Sequence, residues 1–395
     1  MIHKKIVVCM VLDIVSDYAA GFLKSAIRIS KGLDKESFKV IFLSAKQKFP
    51  KKESYIDGMK VYRFASLKIL RTNGKVHLAF PSSKEIDKII EKEEVDIVHI
   101  QTPYYLCYQA MNIAKKRNIP IVVTSHTQPE NILLNTLKMN KIFFVNILYN
   151  ILIRMYNKSD LIICVSNFGK NLLKKRKIRS KIKVISNGIS LSEFKPRSTY
   201  SFDKKFQINH KKNKFILYLG RLMEEKNIEV LIDCMNEVTA KLPNARLLIA
   251  GEGYKENSLK KRVEKLRLSH YVKFLGFLPE KELPLAFASC NVFVLPSLIE
   301  LQGLVLLEAM ACGKPIIVSN SLDSASRYLV KNNGFLFNPH NSHDLANKII
   351  KILSDDELRA KMGKKSLKLI KNHDINFVIR EHEKIYRNLL SIKIK

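Results

Sequence analysis

The sequence has no run of the roughly eighteen uninterrupted apolar residues that a membrane-spanning helix needs, so no span is expected. Its start, MIHKKIVVCMVLDIVSD, reads as a charged lead into a buried strand rather than a signal peptide, and the expected compartment is the cytoplasm. Cysteines are few and isolated: Cys9, Cys107, Cys164, Cys234, Cys290 and Cys312 lie among apolar residues, with no CxxC spacing and no histidine cluster nearby. That pattern excludes a disulfide framework and a zinc site and leaves six small core residues. Aspartate-rich metal motifs, internal repeats and low-complexity tracts are also missing.

Acidic residues are the other shortage. Only 36 Asp+Glu stand against 69 Lys+Arg, for a net charge of +33. The surplus is uneven, because residues 1–200 hold 36 Lys+Arg against 15 Asp+Glu and the remainder 33 against 21. Such a surface favours polyanions, whether nucleic acid, an anionic membrane face or phosphorylated ligands, unless the lysines merely solvate outer faces. Nucleic-acid binding would bring an aromatic-interleaved basic motif or a helix-turn-helix, and neither is present.

What is present is a regular alternation. Short β-branched runs (KIVVCMVL, FKVIFLSA, VDIVHIQ, PIVVTSH, LIICVS and IKVISN, then FILYLG, ARLLIAGEG, YVKFLG, NVFVLPS and PIIVS) are separated by helical patterns. Continuous apolar strands with helices between them predict parallel sheets covered on both faces, an α/β fold doubly wound twice within the 395 residues. The periodicity stops in a polar, Lys-rich stretch, which places a first domain at 1–190, a linker at 191–213, a second domain at 214–372 and a helical segment at 373–395. One helix stands apart: NILLNTLKMNKIFFVNILYNILIRMY, reaching Tyr156, joins an apolar face to Lys138, Lys141 and Arg154, and KKRKIRSKIK follows from Lys174 to Lys183. It either packs on its own sheet or lies on an anionic bilayer.

Ligands of open α/β sheets bind beyond the carboxyl ends of the strands, so the loops there carry the chemistry. After FILYLG come Arg221 and Lys226, two cations that suit a diphosphate or a surface salt bridge. After ARLLIA comes Gly251-Glu252-Gly253, a tight turn that permits close backbone approach. After NVFVLPS comes SLIELQGLVLLEAMACGKP, in which Gly303, Leu304 and Val305 would offer free amides at a helix N-terminus and Glu300 would hang in the loop before them. Glu308 lies within an apolar run, and a buried carboxylate there needs either protein donors or a ligand with hydroxyls.

In the order and spacing of GRLMEEKN, GEG and the Glu-x7-Glu stretch ELQGLVLLE, the chain resembles the retaining glycosyltransferases of the two-domain GT-B fold, family 4 in particular, over nearly its whole length. The resemblance implies two Rossmann-like domains facing a cleft, with a C-terminal helix crossing back to the first, acceptor-binding domain. It implies a metal-independent, cofactor-free hexosyltransferase that uses a UDP- or GDP-sugar, with Arg221 and Lys226 on the leaving diphosphate, Glu308 on ribose and Glu300 on the donor sugar. The Gly303, Leu304 and Val305 amides would meet the phosphate, Gly251, Glu252 and Gly253 would line the donor site, and His126, after PIVVT, would face the transferred sugar. Asn187 and Gly188 match the turn closing the first domain. The first loop, Asp17-Tyr18-Ala19-Ala20-Gly21-Phe22, departs from the family's Gly-Gly pair and leaves Gly21 alone in that role, and Leu301-Gln302 replaces its commoner Gly-Phe. The expected acceptor is a lipid or envelope glycan met at an anionic membrane surface by a peripheral protein, the alternative being a soluble acceptor.

Overall fold

The computed structural model describes residues 4–13, 21–45, 55–68, 77–131 and 142–393. It divides into two compact units. The first holds the described residues up to Pro129, residues 142–188 and residues 375–393; the second is Ile189–Asp374 with Glu130 and Asn131.

The first unit is built on an eight-stranded sheet in the order β10-β9-β8-β7-β1-β2-β4-β3. Its strands are β1 (Ile6–Leu12), β2 (Phe38–Ala45), β3 (Tyr55–Ile56), β4 (Met59–Phe64), β7 (Ile97–Ile100), β8 (Ile121–Ser125), β9 (Leu161–Cys164) and β10 (Lys181–Val184), with a separate hairpin of β5 (Ser66–Lys68) and β6 (His77–Ala79). All neighbours in the main sheet run parallel except β3 and β4. The second unit is a six-stranded, all-parallel sheet in the order β13-β12-β11-β14-β15-β16. Its strands are β11 (Lys214–Leu219), β12 (Ala245–Ala250), β13 (Val272–Gly276), β14 (Val292–Leu295), β15 (Ile316–Ser319) and β16 (Gly334–Phe337). Central strands such as β1 and β14 are buried along their length because helices cover both faces, which is why they read as unbroken Val/Ile/Leu runs. Strand order reverses between β1 and β7 in one unit and between β11 and β14 in the other, so each unit has its crevice beyond those carboxyl ends.

The polar stretch expected as a linker, 191–213, is instead folded into the second unit. A helix Tyr200–Phe206 sits there, and Phe194, Phe202 and Ile208 are buried in that unit's core, with the Phe194 ring 6.1 Å from that of Phe287. Lysines on the outer side gave the segment its linker-like composition, while three apolar side chains decide its place. Of the strands that the sequence does not mark, β3, β5 and β6 have only two or three residues, β16 lies at a sheet edge, and MKVYRF of β4 mixes polar residues with apolar ones.

The helix Ile375–Lys393 completes the core of the first unit. Tyr386 is wholly buried, and its hydroxyl lies 2.7 Å from Nδ1 of His99, whose Nε2 is 2.7 Å from Thr124 Oγ1. His382 Nδ1 donates to the Val378 carbonyl at 2.8 Å, and its ring stacks on His99 at 5.9 Å. Lys183 pairs with Glu381 at 2.7 Å. A Cβ on Gly188, whose φ is +73°, would lie 3.2 Å from the Ile375 backbone, so the turn Asn187-Gly188 leaves just enough room for this helix to begin.

Of the segment expected as a basic amphipathic helix, Ile142–Tyr156 is helical, while residues 132–141, with Lys138 and Lys141, lie outside the described residues. Tyr149, Leu152, Met155 and Tyr156 face the core, whereas Phe143, Phe144, Ile147 and Ile151 are exposed. The following basic loop is fixed to this helix by Arg176, whose guanidinium lies 4.2 Å from the Tyr149 ring centroid and donates to Asn146 Oδ1. No described helix is long and apolar enough to cross a membrane.

Candidate functional site

In the second unit the loops leaving β11, β12 and β14 interlock. Leu222 N donates to the Glu252 carbonyl at 2.9 Å, and Lys255 N donates to the Leu222 carbonyl at 3.1 Å. A Cβ on Gly251 would fall 1.9 Å from the Gly220 oxygen, and one on Gly253 would fall 2.1 Å from the Leu222 oxygen. The close approach that these glycines permit is therefore made by the loop after β11. Lys255 pairs with Glu224 at 2.9 Å and also with Glu229, tying the same two loops through side chains.

The loop after β14 joins from the other side of the strand reversal. Leu298 N donates to the Glu225 carbonyl at 2.8 Å, and Glu300 forms a parallel bridge with Ser324 while its carbonyl accepts from Ala325 N at 2.7 Å. Lys226 Nζ and Glu300 Oε1 are 2.6 Å apart with little exposure, so two charged residues 74 positions apart in the chain are bonded to each other. Arg221 lies four residues before Glu225 and donates to its Oε1 from Nη2 at 3.0 Å. Its own carbonyl accepts from Tyr218 Oη at 2.8 Å.

Gly303 caps the helix Leu304–Ala311 in the left-handed region, with φ +74° and ψ 67°. A Cβ there would lie 2.6 Å from Ser326 Oγ, so glycine is needed both for the conformation and for the contact. The first-turn amides of this helix, those of Leu304 and Val305 among them, have no intrahelical acceptor. Glu308 projects from the second turn and is 4% exposed. The carboxylate in this apolar run is thus buried close to the capped end of a helix, beside the loop that carries Glu300.

In the first unit, His126 follows β8, and its Nε2 is 3.1 Å from Oε1 of Gln101, which follows β7; its ring is 5.9 Å from that of Phe22. Burial, reinforced by charge repulsion from His382, pushes the imidazole down to about 3, so it is neutral at physiological pH. Gly21 opens the helix Gly21–Gly32 and is exposed, and Asp17 to Ala20 lie outside the described residues. Asp13, at the end of β1, is not singled out by any motif in the sequence. It is fully buried, accepts from Leu106 N at 2.6 Å and Cys107 N at 3.3 Å, and burial raises its pKa to about 6. Its only sequence mark was a polar residue ending an apolar strand. Glu225 carries no mark in the sequence either, because Glu224 beside it looks identical.

Residues 21–193 match the family model described as Glycosyltransferase Family 4, and residues 201–369 match that described as Glycosyl transferases group 1. The sulfoquinovosyl transferase SQD2 of Arabidopsis thaliana is 30% identical over 309 residues, 76% of this chain. The chain spans 58% of that relative's length. The alpha-monoglucosyldiacylglycerol synthase of Acholeplasma laidlawii is 25% identical over 387 residues, 94% of each chain. The structure of sucrose-phosphate synthase from Thermosynechococcus elongatus superposes with a TM-score of 0.79 at 18% identity, over 98% of this chain and 100% of that one. Anabaena HepE in complex with UDP and glucose superposes with a TM-score of 0.76 at 18% identity, over 97% and 100%. These two likenesses establish a common fold.

Proposed function

Because the chain belongs to the GT-B glycosyltransferases, its N-terminal half matched by the family 4 model and its C-terminal half by the group 1 model, we propose that it moves a hexose, with retention of anomeric configuration, from a UDP- or GDP-sugar to a lipid or envelope-glycan acceptor at the cytoplasmic face of a membrane. The observation that carries the donor half is the meeting of Arg221, Lys226 and Glu300 beyond the carboxyl ends of β11 and β14, where the strand order reverses. Negative charge grows on the diphosphate as the glycosidic bond breaks, and Arg221, Lys226 and the amides of Gly303 to Val305 stabilise it. Glu308 takes the ribose hydroxyls and Glu300 the hydroxyls of the donor sugar, with Gly251, Glu252 and Gly253 shaping the wall.

The acceptor hydroxyl attacks from the face the diphosphate leaves, and its proton passes to an oxygen of the departing phosphate. His126, held neutral, serves the transferred sugar as a hydrogen-bond partner and not as a charge. The chain supplies the cations itself, so the reading calls for no metal and no cofactor, and EDTA is expected to leave turnover unchanged. The lipid acceptor is supported by the relatives named alpha-monoglucosyldiacylglycerol synthase, whose names specify a glucosylated diacylglycerol.

The experiment is a thermal-shift and hydrolysis screen against UDP- and GDP-sugars, followed by transfer assays with diacylglycerol vesicles and with soluble sugar acceptors. One nucleotide series is expected to stabilise the protein, and its sugar to be transferred to the vesicles. Stabilisation by neither series overturns the donor reading, and transfer to soluble sugars alone overturns the lipid half.

A further inference from the structure

We propose that Glu225 is the positioning residue for Arg221, a role that rests on the donor reading above. Its side chain is 0% exposed, and the one bond it makes among the described residues is that between Oε1 and Arg221 Nη2, Oε2 being buried without a partner. A carboxylate taken out of water needs its cation, so a wholly buried Glu225 with a single partner holds that partner strongly. Arg221 is otherwise a long side chain with 59% of its surface in solvent. Left free, it would lose rotamer entropy each time it met a diphosphate. One of its five N–H donors is committed to Glu225, which leaves the outward side of the guanidinium for a phosphate oxygen. The carbonyl of Arg221 is held as well, by Tyr218 Oη at 2.8 Å, so backbone and tip are fixed together.

Glu225 also stands at the junction of the two loops. Its carbonyl accepts from Leu298 N at 2.8 Å, and the next residue, Lys226, bonds Glu300 at 2.6 Å. One residue thus sets the separation between the cations and the carboxylate that would handle the sugar. An ordinary exposed ion pair would not explain a carboxylate sealed from solvent. Glu224, next to it, is the exposed counter-example, paired with Lys255 on the outer side of the loop.

The test is a double-mutant cycle on the full chain, with Glu225→Gln, Arg221→Ala and both together, read by steady-state kinetics with the nucleotide sugar identified in the screen and by thermal melting. Glu225→Gln is expected to lower kcat by about tenfold or more with a smaller change in KM, since orientation and not uniform binding is lost. On the Arg221→Ala background it is expected to cost less than about twofold, because the residue through which it acts is gone. An equal loss on both backgrounds, or no loss on the parent background, overturns the positioning role while leaving the donor reading intact. A parent that neither binds nor hydrolyses any UDP- or GDP-sugar overturns both. Should Glu225→Gln melt far below the parent, Glu225→Asp is carried through the same cycle: it keeps the charge but withdraws it by one methylene, and the same non-additivity is expected.

Discussion

At the scale of single residues, the candidate donor site is a set of charges pinned to loops, with Lys226 bonded to Glu300 and Arg221 to Glu225. Arg221, Lys226, Glu300 and Gly303 stand out because charges and a glycine follow β-branched strands, and the structure brings them onto interlocking loops of one unit. In GRLMEEKN the two glutamates are chemically the same; the fold alone seals Glu225 and leaves Glu224 half in solvent. Asp13 is hidden for the same reason, its partners being amides some ninety residues away. Glu308→Ala is expected to weaken UDP or GDP binding by roughly 1.5–3 kcal/mol, the worth of hydrogen bonds to a charged acceptor, which calorimetry reads directly. A variant that binds like the parent would remove ribose from the assignment. Gly251→Ala is expected to destabilise the second unit, since its φ is +126° and the new Cβ would meet the Gly220 carbonyl; a melting temperature equal to the parent's would contradict the packing described.

At the scale of elements, the longer apolar strands are readable, β10 and β13 at the sheet edges included, whereas the two- and three-residue strands, the polar-mixed β4 and the helix Tyr200–Phe206 are not, because one or two apolar residues among polar ones carry no periodicity. The helix Ile142–Tyr156 fits both readings open to the sequence: one side packs in the first unit, and the other leaves Phe143, Phe144, Ile147 and Ile151 exposed. The loop beside it adds the exposed Lys174, Lys175 and Lys177, each worth on the order of 1 kcal/mol near an anionic bilayer. Replacing these three lysines by Ser is expected to weaken co-sedimentation with anionic vesicles and leave donor hydrolysis intact, with binding of the parent falling as salt rises. Arg176 is kept in that variant, since its stacking on Tyr149 is part of the fold and its loss would loosen the helix being tested. A parent that ignores anionic vesicles at low salt would reduce the basic surface to a solvated one and favour a soluble acceptor.

For the whole molecule, what the sequence could not reveal is how strongly its last helix belongs to its first unit. His99, sealed under that helix, and His382, on the helix's buried face, are held neutral by burial, His382 at about 4 and His99 well below the usual range, and His126 is also depressed although it keeps some contact with solvent. A histidine whose folded pKa lies below its unfolded value of about 6.5 lends its full stability above that pH and loses it as the pH falls toward the folded value. Asp13 acts in the opposite sense, its contribution being lost as the pH rises from about 4 to about 6, but it is one group against three. The first unit is therefore expected to melt at lower temperature at pH 5 than at pH 7, and His382→Phe to flatten that dependence; a Tm unchanged across this range would contradict the neutral histidine cluster. The same helix sets an order of events during synthesis. Its residues leave the ribosome only after Ile189–Asp374 has been made, which at 5–20 residues per second takes roughly 10–40 s. Throughout that interval the nascent chain carries an open apolar seat around Phe38 and His99, waiting for Tyr386, so the domain translated first is the one finished last, and this seat is where a ribosome-bound chaperone would be needed most.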